Sequence, residues 1–61
     1  MRYIRFRFTR RWQDLDWIFE PGDEICLPED HVNEARERMR AFVKYGLYVV
    51  PLSFLEEVKE K

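Results

Sequence analysis

Residues 3–9, Tyr-Ile-Arg-Phe-Arg-Phe-Thr, alternate without a break. Ile4, Phe6 and Phe8 fall on one face; Tyr3, Arg5, Arg7 and Thr9 fall on the other. A period of two in β-forming residues predicts a half-buried strand. Its apolar face must meet a core and its arginine face must meet solvent.

The rest of the chain has to supply that core. Residues 10–16 (Arg-Arg-Trp-Gln-Asp-Leu-Asp) keep no period and predict a loop or an irregular edge. Trp17, Ile18 and Phe19 resume a strand. Glu20-Pro21-Gly22-Asp23 is a type II turn signature, because Pro sets φ at the first central position and Gly accepts positive φ at the second. Glu24 to Leu27 then reads as the returning strand of a short hairpin. Pro28 suits the first position of a helix, and Glu29 and Asp30 favour its N-terminal dipole. Val32, Ala35, Met39, Phe42 and Val43 fall within about a 100° arc at helical spacing. Glu34 and Arg38 make an i,i+4 pair, Lys44 lies in the last turn, and Gly46 is placed to stop the helix. The spacing therefore predicts one long helix over 29–45. Leu47 to Val50, ended by Pro51, reads as a short strand buried on both faces. Ser53 with Glu56 forms a capping box that predicts a short helix over 54–60.

The expected fold is one α+β domain over 1–61: a small antiparallel or mixed sheet of three to four strands, the long helix packed on one face, and a short C-terminal helix. A chain of 61 residues buries only about 60% of its unfolded surface. With Cys26 as the lone cysteine, no disulfide reinforces it, and Cys26 with His31 is too little for zinc. Reinforcement must come from apolar packing or from a second chain. Five Phe, three Tyr and two Trp serve either. The single cysteine and the lack of an apolar run approaching roughly 18 residues predict a cytoplasmic protein that stays out of membranes. Charged residues make up 38% of the chain, while Asn, Gln, Ser and Thr occur once each, the bias of hyperthermophile proteins.

Charge is also segregated. Residues 1–12 hold five Arg and no acid, and residues 13–61 hold twelve acids against six Lys or Arg. Tyr3, Arg5, Arg7, Arg10, Arg11 and Trp12 combine guanidinium groups with rings, the chemistry that grips phosphates and stacks on bases. They are the candidate nucleic-acid surface. Against it stand an overall pI near 5.8, well below the roughly 9 of dedicated nucleic-acid binders, and six surplus acids that can pair with the same arginines. Trp12, Leu15 and Trp17 form a second candidate, a protein interface, since clustered Trp beside Arg is the composition of interface hot spots. Packing in the chain's own core competes with that role, for Trp17 above all.

Other groups offer less. Asp14, Asp16, Asp23 and Glu24 lack any metal-loop spacing. Asp30, His31 and Glu34 share a helix start but need further ligands to hold a metal. Cys26 lies in an apolar stretch and reads as a buried structural thiol. No phosphate loop, nucleophile elbow or dinucleotide fingerprint occurs. The expectation is no catalytic residue, no cofactor, no metal and no small-molecule substrate.

Residues 19–52 carry Phe19, Gly22-Asp23, Ile25, Leu27-Pro28, Ala35, Gly46 and the run Leu47 to Pro51. That order resembles very small phage and prophage proteins of unknown function, in which a Gly-Asp turn leads to a short strand, a Leu-Pro step opens a helix, and a Gly with an apolar strand closes the unit. The segment between Pro28 and Gly46 is about one turn longer here, and 54–61 is added. The resemblance implies a mobile-element accessory protein and transfers no site residue. Together these readings lead to a non-enzymatic protein that acts by protein contact, a homodimer in its simplest form, with nucleic-acid binding as the alternative.

Overall fold

The structure is a computed structural model that describes residues 2–14 and 16–59. It is α+β, with three small antiparallel sheets and one helix. The alternating segment forms β1 (Tyr3–Phe8), with Phe6 and Phe8 buried and Arg5 and Arg7 exposed. β2 (Trp12–Gln13) and β3 (Ile18–Phe19) come next, then β4 (Glu24–Pro28) and helix α1 (Glu29–Glu37). β5 (Phe42–Tyr45), β6 (Tyr48–Pro51), a 3-10 turn (Leu52–Phe54) and β7 (Leu55–Glu57) complete the chain.

β1 is the central strand of the largest sheet, ordered β4-β1-β7, and both neighbours run antiparallel to it. The register sets Ile4 opposite Leu27, Phe6 opposite Ile25 and Phe8 opposite Leu55. Every apolar residue of β1's inner face therefore meets an apolar partner. Phe6, Phe8 and Leu27 join Val32 and Ala35 of α1, Val43 of β5 and Val50 of β6 in one buried cluster.

Several expectations are corrected. β4 does not return along β3; it pairs with β1, and β3 pairs with β2. Asp14 and Trp17 exchange backbone hydrogen bonds of 2.8 and 3.4 Å, so of the two readings of 10–16, loop or irregular edge, the segment takes the second, with a two-residue edge strand paired to β3. The turn at 20–23 does form. Gly22 has φ +97°, and Asp23 N–H donates to the Glu20 carbonyl at 3.0 Å. It feeds β4 alongside β1: Phe8 N–H donates to the Asp23 carbonyl, and Gly22 N–H donates to the Phe8 carbonyl.

The long helix is the largest correction, because α1 stops at Glu37. Met39 takes φ +53°, its N–H donates to the Arg36 carbonyl, and Arg40 N–H donates to the Ala35 carbonyl. This pair of bonds is the Schellman motif that closes a helix. Val32 and Ala35 are the helix's buried positions. Val43 reaches the same core from β5, while Met39 is 93% exposed. The helix-like stripe therefore joins a helix face to a strand face. Pro28 ends β4 and caps α1 instead of entering it. Lys44 belongs to β5. Gly46, at φ +61°, is the first residue of the two-residue β5–β6 turn, with Leu47 exposed beside it. β6 is buried only at Val50 and Pro51, so it is not enclosed on both faces. The C-terminal helix is absent over the described part of 54–60. The 3-10 turn is capped by Pro51 without a side-chain bond, Ser53 lies inside it, Leu55 is extended, and β7 pairs with the free edge of β1.

Candidate functional site

The arginine face of β1 is assembled as the alternation requires, and it meets acids. Arg7 lies opposite Glu24 on β4 and Glu56 on β7. Arg5 Nε is 3.2 Å from Glu24 Oε1, and Arg7 Nη2 is 3.6 Å from Glu56 Oε2. Arg11 Nε is 3.2 Å from Glu20 Oε1. The Arg10 guanidinium stands 5.6 Å over the ring of Phe54. The Tyr3 hydroxyl is 3.2 Å from that of Tyr45, and that hydrogen bond, followed by the Tyr45 charge, holds Tyr3 above the usual phenol range. Five of the six residues of the basic candidate are thus engaged by groups of the same chain. These ion pairs are half exposed and individually weak, but together they turn the basic strand into a face of mixed charge.

The sixth, Trp12, points inward. It is half-buried, its Nε1–H donates to the Val49 carbonyl at 3.0 Å, and its ring lies 5.7 Å from Phe54 and 6.0 Å from Phe42. Trp12 therefore clips the β2–β3 hairpin onto the outer edge of β6. Its contacts in the fold are internal, one of the two placements that the sequence leaves open for it. Trp17 sits at the hairpin's end, its ring 4.6 Å from Tyr48. Phe19 joins behind, 6.1 Å from Tyr48 and stacked on Phe8 at 4.4 Å. Leu15 lies outside the described residues. Of the two tryptophans, each a candidate for the interface or the core, Trp12 thus packs against Phe42 and Phe54, and Trp17 packs against Tyr48.

Sequence reasoning misses what faces Trp17. The turn of the β5–β6 hairpin carries Leu47, 81% exposed, next to Tyr48, and Ile18 of β3 is 55% exposed. Two hairpin ends meet there through the Trp17–Tyr48 contact. Only a pairing of 42–45 with 48–51 brings Tyr48 to Trp17, and reading 42–45 as helix conceals it.

The remaining candidates are placed by the same register. Cys26 is exposed, not buried, because it lies opposite Arg5 on the outer face. Among the described residues, no group of three or more His, Cys, Asp or Glu is placed to hold a metal ion. Asp23 Oδ2 accepts a hydrogen bond from the Glu20 N–H at 2.8 Å, and Glu34 pairs with Arg38 at 3.6 Å. His31 Nδ1–H donates to the Lys44 carbonyl at 3.2 Å. No helix among the described residues is long and apolar enough to cross a membrane. Set against known proteins, the chain matches no family model, no curated protein and no solved structure.

Proposed function

We propose that the chain is a non-enzymatic accessory protein that acts by protein contact, and that it pairs with itself through the end of the molecule where its two hairpins meet. The observation that carries this reading is Leu47, 81% exposed at a hairpin tip beside the Trp17–Tyr48 ring contact. Solvating a large aliphatic group there costs free energy that burial against a second copy recovers, at roughly 25 cal/mol per Å². Half-exposed Trp and Tyr next to it are the residue types that dominate interface energetics. A two-fold pairing presents the same patch from both copies, so one apolar end suffices. The small core gives a further reason: a chain of this size gains proportionately from any shared apolar surface. The phage-like pattern over 19–52 agrees with an accessory role in a mobile element. Nucleic-acid binding is the less favoured reading, because Arg5, Arg7 and Arg11 already face carboxylates.

Sedimentation velocity over a concentration series tests this. The wild-type chain shifts from monomer to dimer as concentration rises. Leu47→Lys, at a position too exposed to matter to folding, stays monomeric throughout. Equal sedimentation of the two proteins as monomers at high micromolar concentration removes the proposal.

A further inference from the structure

The strand edges that the three sheets leave unpaired are not alike. Along β4 the bonds to β1 begin and end on even residues of β1: Phe8 N–H donates to the Asp23 carbonyl, and Glu29 N–H donates to the Arg2 carbonyl. An antiparallel ladder then turns the backbone of Ile25 and Leu27 toward β1 and that of Glu24 and Cys26 outward. The outward N–H and C=O groups of Glu24 and Cys26 have no hydrogen-bond partner among the described residues, and both side chains are exposed. Helix α1 starts beyond this stretch, at Glu29, and packs along β5 instead, where His31 bonds the Lys44 carbonyl.

An open edge is a template for another strand, and natural chains blunt such edges with charge, proline or a cover. The other edges of this molecule are blunted. α1 covers β5. On β6, Trp12 takes the Val49 carbonyl, and Pro51 has no N–H. β7 is Leu-Glu-Glu, and its Leu55 N–H already bonds the Leu52 carbonyl. β2 and β3 have two residues each. β4 has no Lys, no cover and no Pro before residue 28, and its one acid, Glu24, is paired with Arg5. A second copy fits this edge poorly. Two-fold pairing about Glu24 or Ile25 brings the Glu24 side chains of the two copies together. Pairing about Cys26 sets Glu24 against Pro28, which has no N–H to donate.

We propose that the outer edge of β4 takes up an extended segment of a partner protein as a fourth, antiparallel strand of the β4-β1-β7 sheet, with small polar and β-branched apolar residues in alternation. The partner residues that bond Glu24 and Cys26 lie on the outer face, where the arginines and acids are already paired and small polar side chains fit. The partner residue between them lies on the inner face beside half-buried Ile25, which sits opposite Phe6, and an apolar side chain there extends the core. Backbone bonds supply the affinity and the alternation supplies the selection. This edge is separate from the Leu47 end, so either reading can fail without the other.

The test titrates the isotopically labelled protein with a blocked peptide of Thr-Val repeats carrying Lys at each end for solubility. The peptide moves the amide resonances of Glu24 and Cys26 and slows their exchange with solvent. N-methylation separates strand pairing from general adhesion. With Val on the inner face, the Thr amides bond β4 and the Val amides face solvent. Methylation at Thr therefore lowers affinity by roughly tenfold or more, and methylation at Val leaves it nearly unchanged. Cys26→Pro removes an outward N–H and no bond to β1, so it loses peptide affinity, while Cys26→Ser keeps it. Leu47→Lys still binds the peptide. Glu24 and Cys26 amides unmoved at millimolar peptide overturn the proposal, and so does equal binding of the two methylated peptides. If the same amides move on dilution of the protein alone, the occupant is a second copy and the proposal is likewise overturned.

Discussion

Met39 holds a left-handed backbone, φ +53°, with its side chain almost wholly in solvent. That conformation costs a residue with a Cβ about 1–2 kcal/mol, and glycine avoids the cost. Nothing in the packing of Met39 offsets it, so Met39→Gly stabilises the protein by about 1 kcal/mol after the extra chain entropy of glycine is subtracted. For a domain this small, that raises Tm by roughly 4–8 °C, which calorimetry reads directly. Tyr3 provides a second residue-level check. Its phenol is held above its ordinary range by the Tyr45 hydroxyl. The stabilisation from the neutral, hydrogen-bonded form is therefore complete below the unfolded value of about 10, and it is lost as pH climbs through the higher folded value. Tyr45→Phe returns Tyr3 toward the ordinary phenol range, and near-ultraviolet titration of the two proteins measures the difference.

At the scale of elements, local pattern is a sound guide wherever one element owns the whole signal. The alternation of 3–9 has a single cause, a strand with one buried face, and the register around Phe6 and Phe8 obeys it. The 20–23 turn is equally legible, because Pro21 and Gly22 fix backbone angles by themselves. The stripe Val32, Ala35, Met39, Phe42, Val43 misleads, because two elements converge on one core and their apolar positions run together in sequence. The stop lies at Met39, where no glycine marks it, and a real glycine at 46 draws the boundary too far along. Ser53 and Glu56 mislead for a related reason: the capping pattern is local, whereas the vacant edge of β1 that recruits Leu55–Glu57 is more than forty residues away in sequence. Trp12 joins elements that are likewise distant. Its indole N–H on the Val49 carbonyl fastens one hairpin to the other. Trp12→Phe keeps most of the ring packing and loses that bond, at a cost of about 1 kcal/mol in denaturant-measured stability. Trp12→Ala also loses the contacts with Phe42 and Phe54 and costs more than the Phe variant.

Across the whole molecule, the segregated charge of the sequence is undone by folding. The basic segment becomes the middle strand of a sheet whose outer strands carry Glu24 and Glu56, so Arg5 and Arg7 are flanked by acids from distant parts of the chain. Composition alone states the imbalance but not its cancellation, which depends on strand order. The candidate site divides along the same line. Trp17 is legible as a ring shared between core and interface, with the core favoured, and it is half-buried. Its partners, Tyr48 and Leu47, depend on a hairpin that helix-like spacing conceals. The molecule that results has a neutralised sheet face, a closed small core, and one end where rings and an aliphatic tip meet solvent together. Amide resonances recorded on dilution test the proposed self-contact most directly. Shifts confined to 16–18 and 46–48 as the protein is diluted are the predicted result; shifts centred on the outer face of β1 and β4, or no change across the range, contradict it.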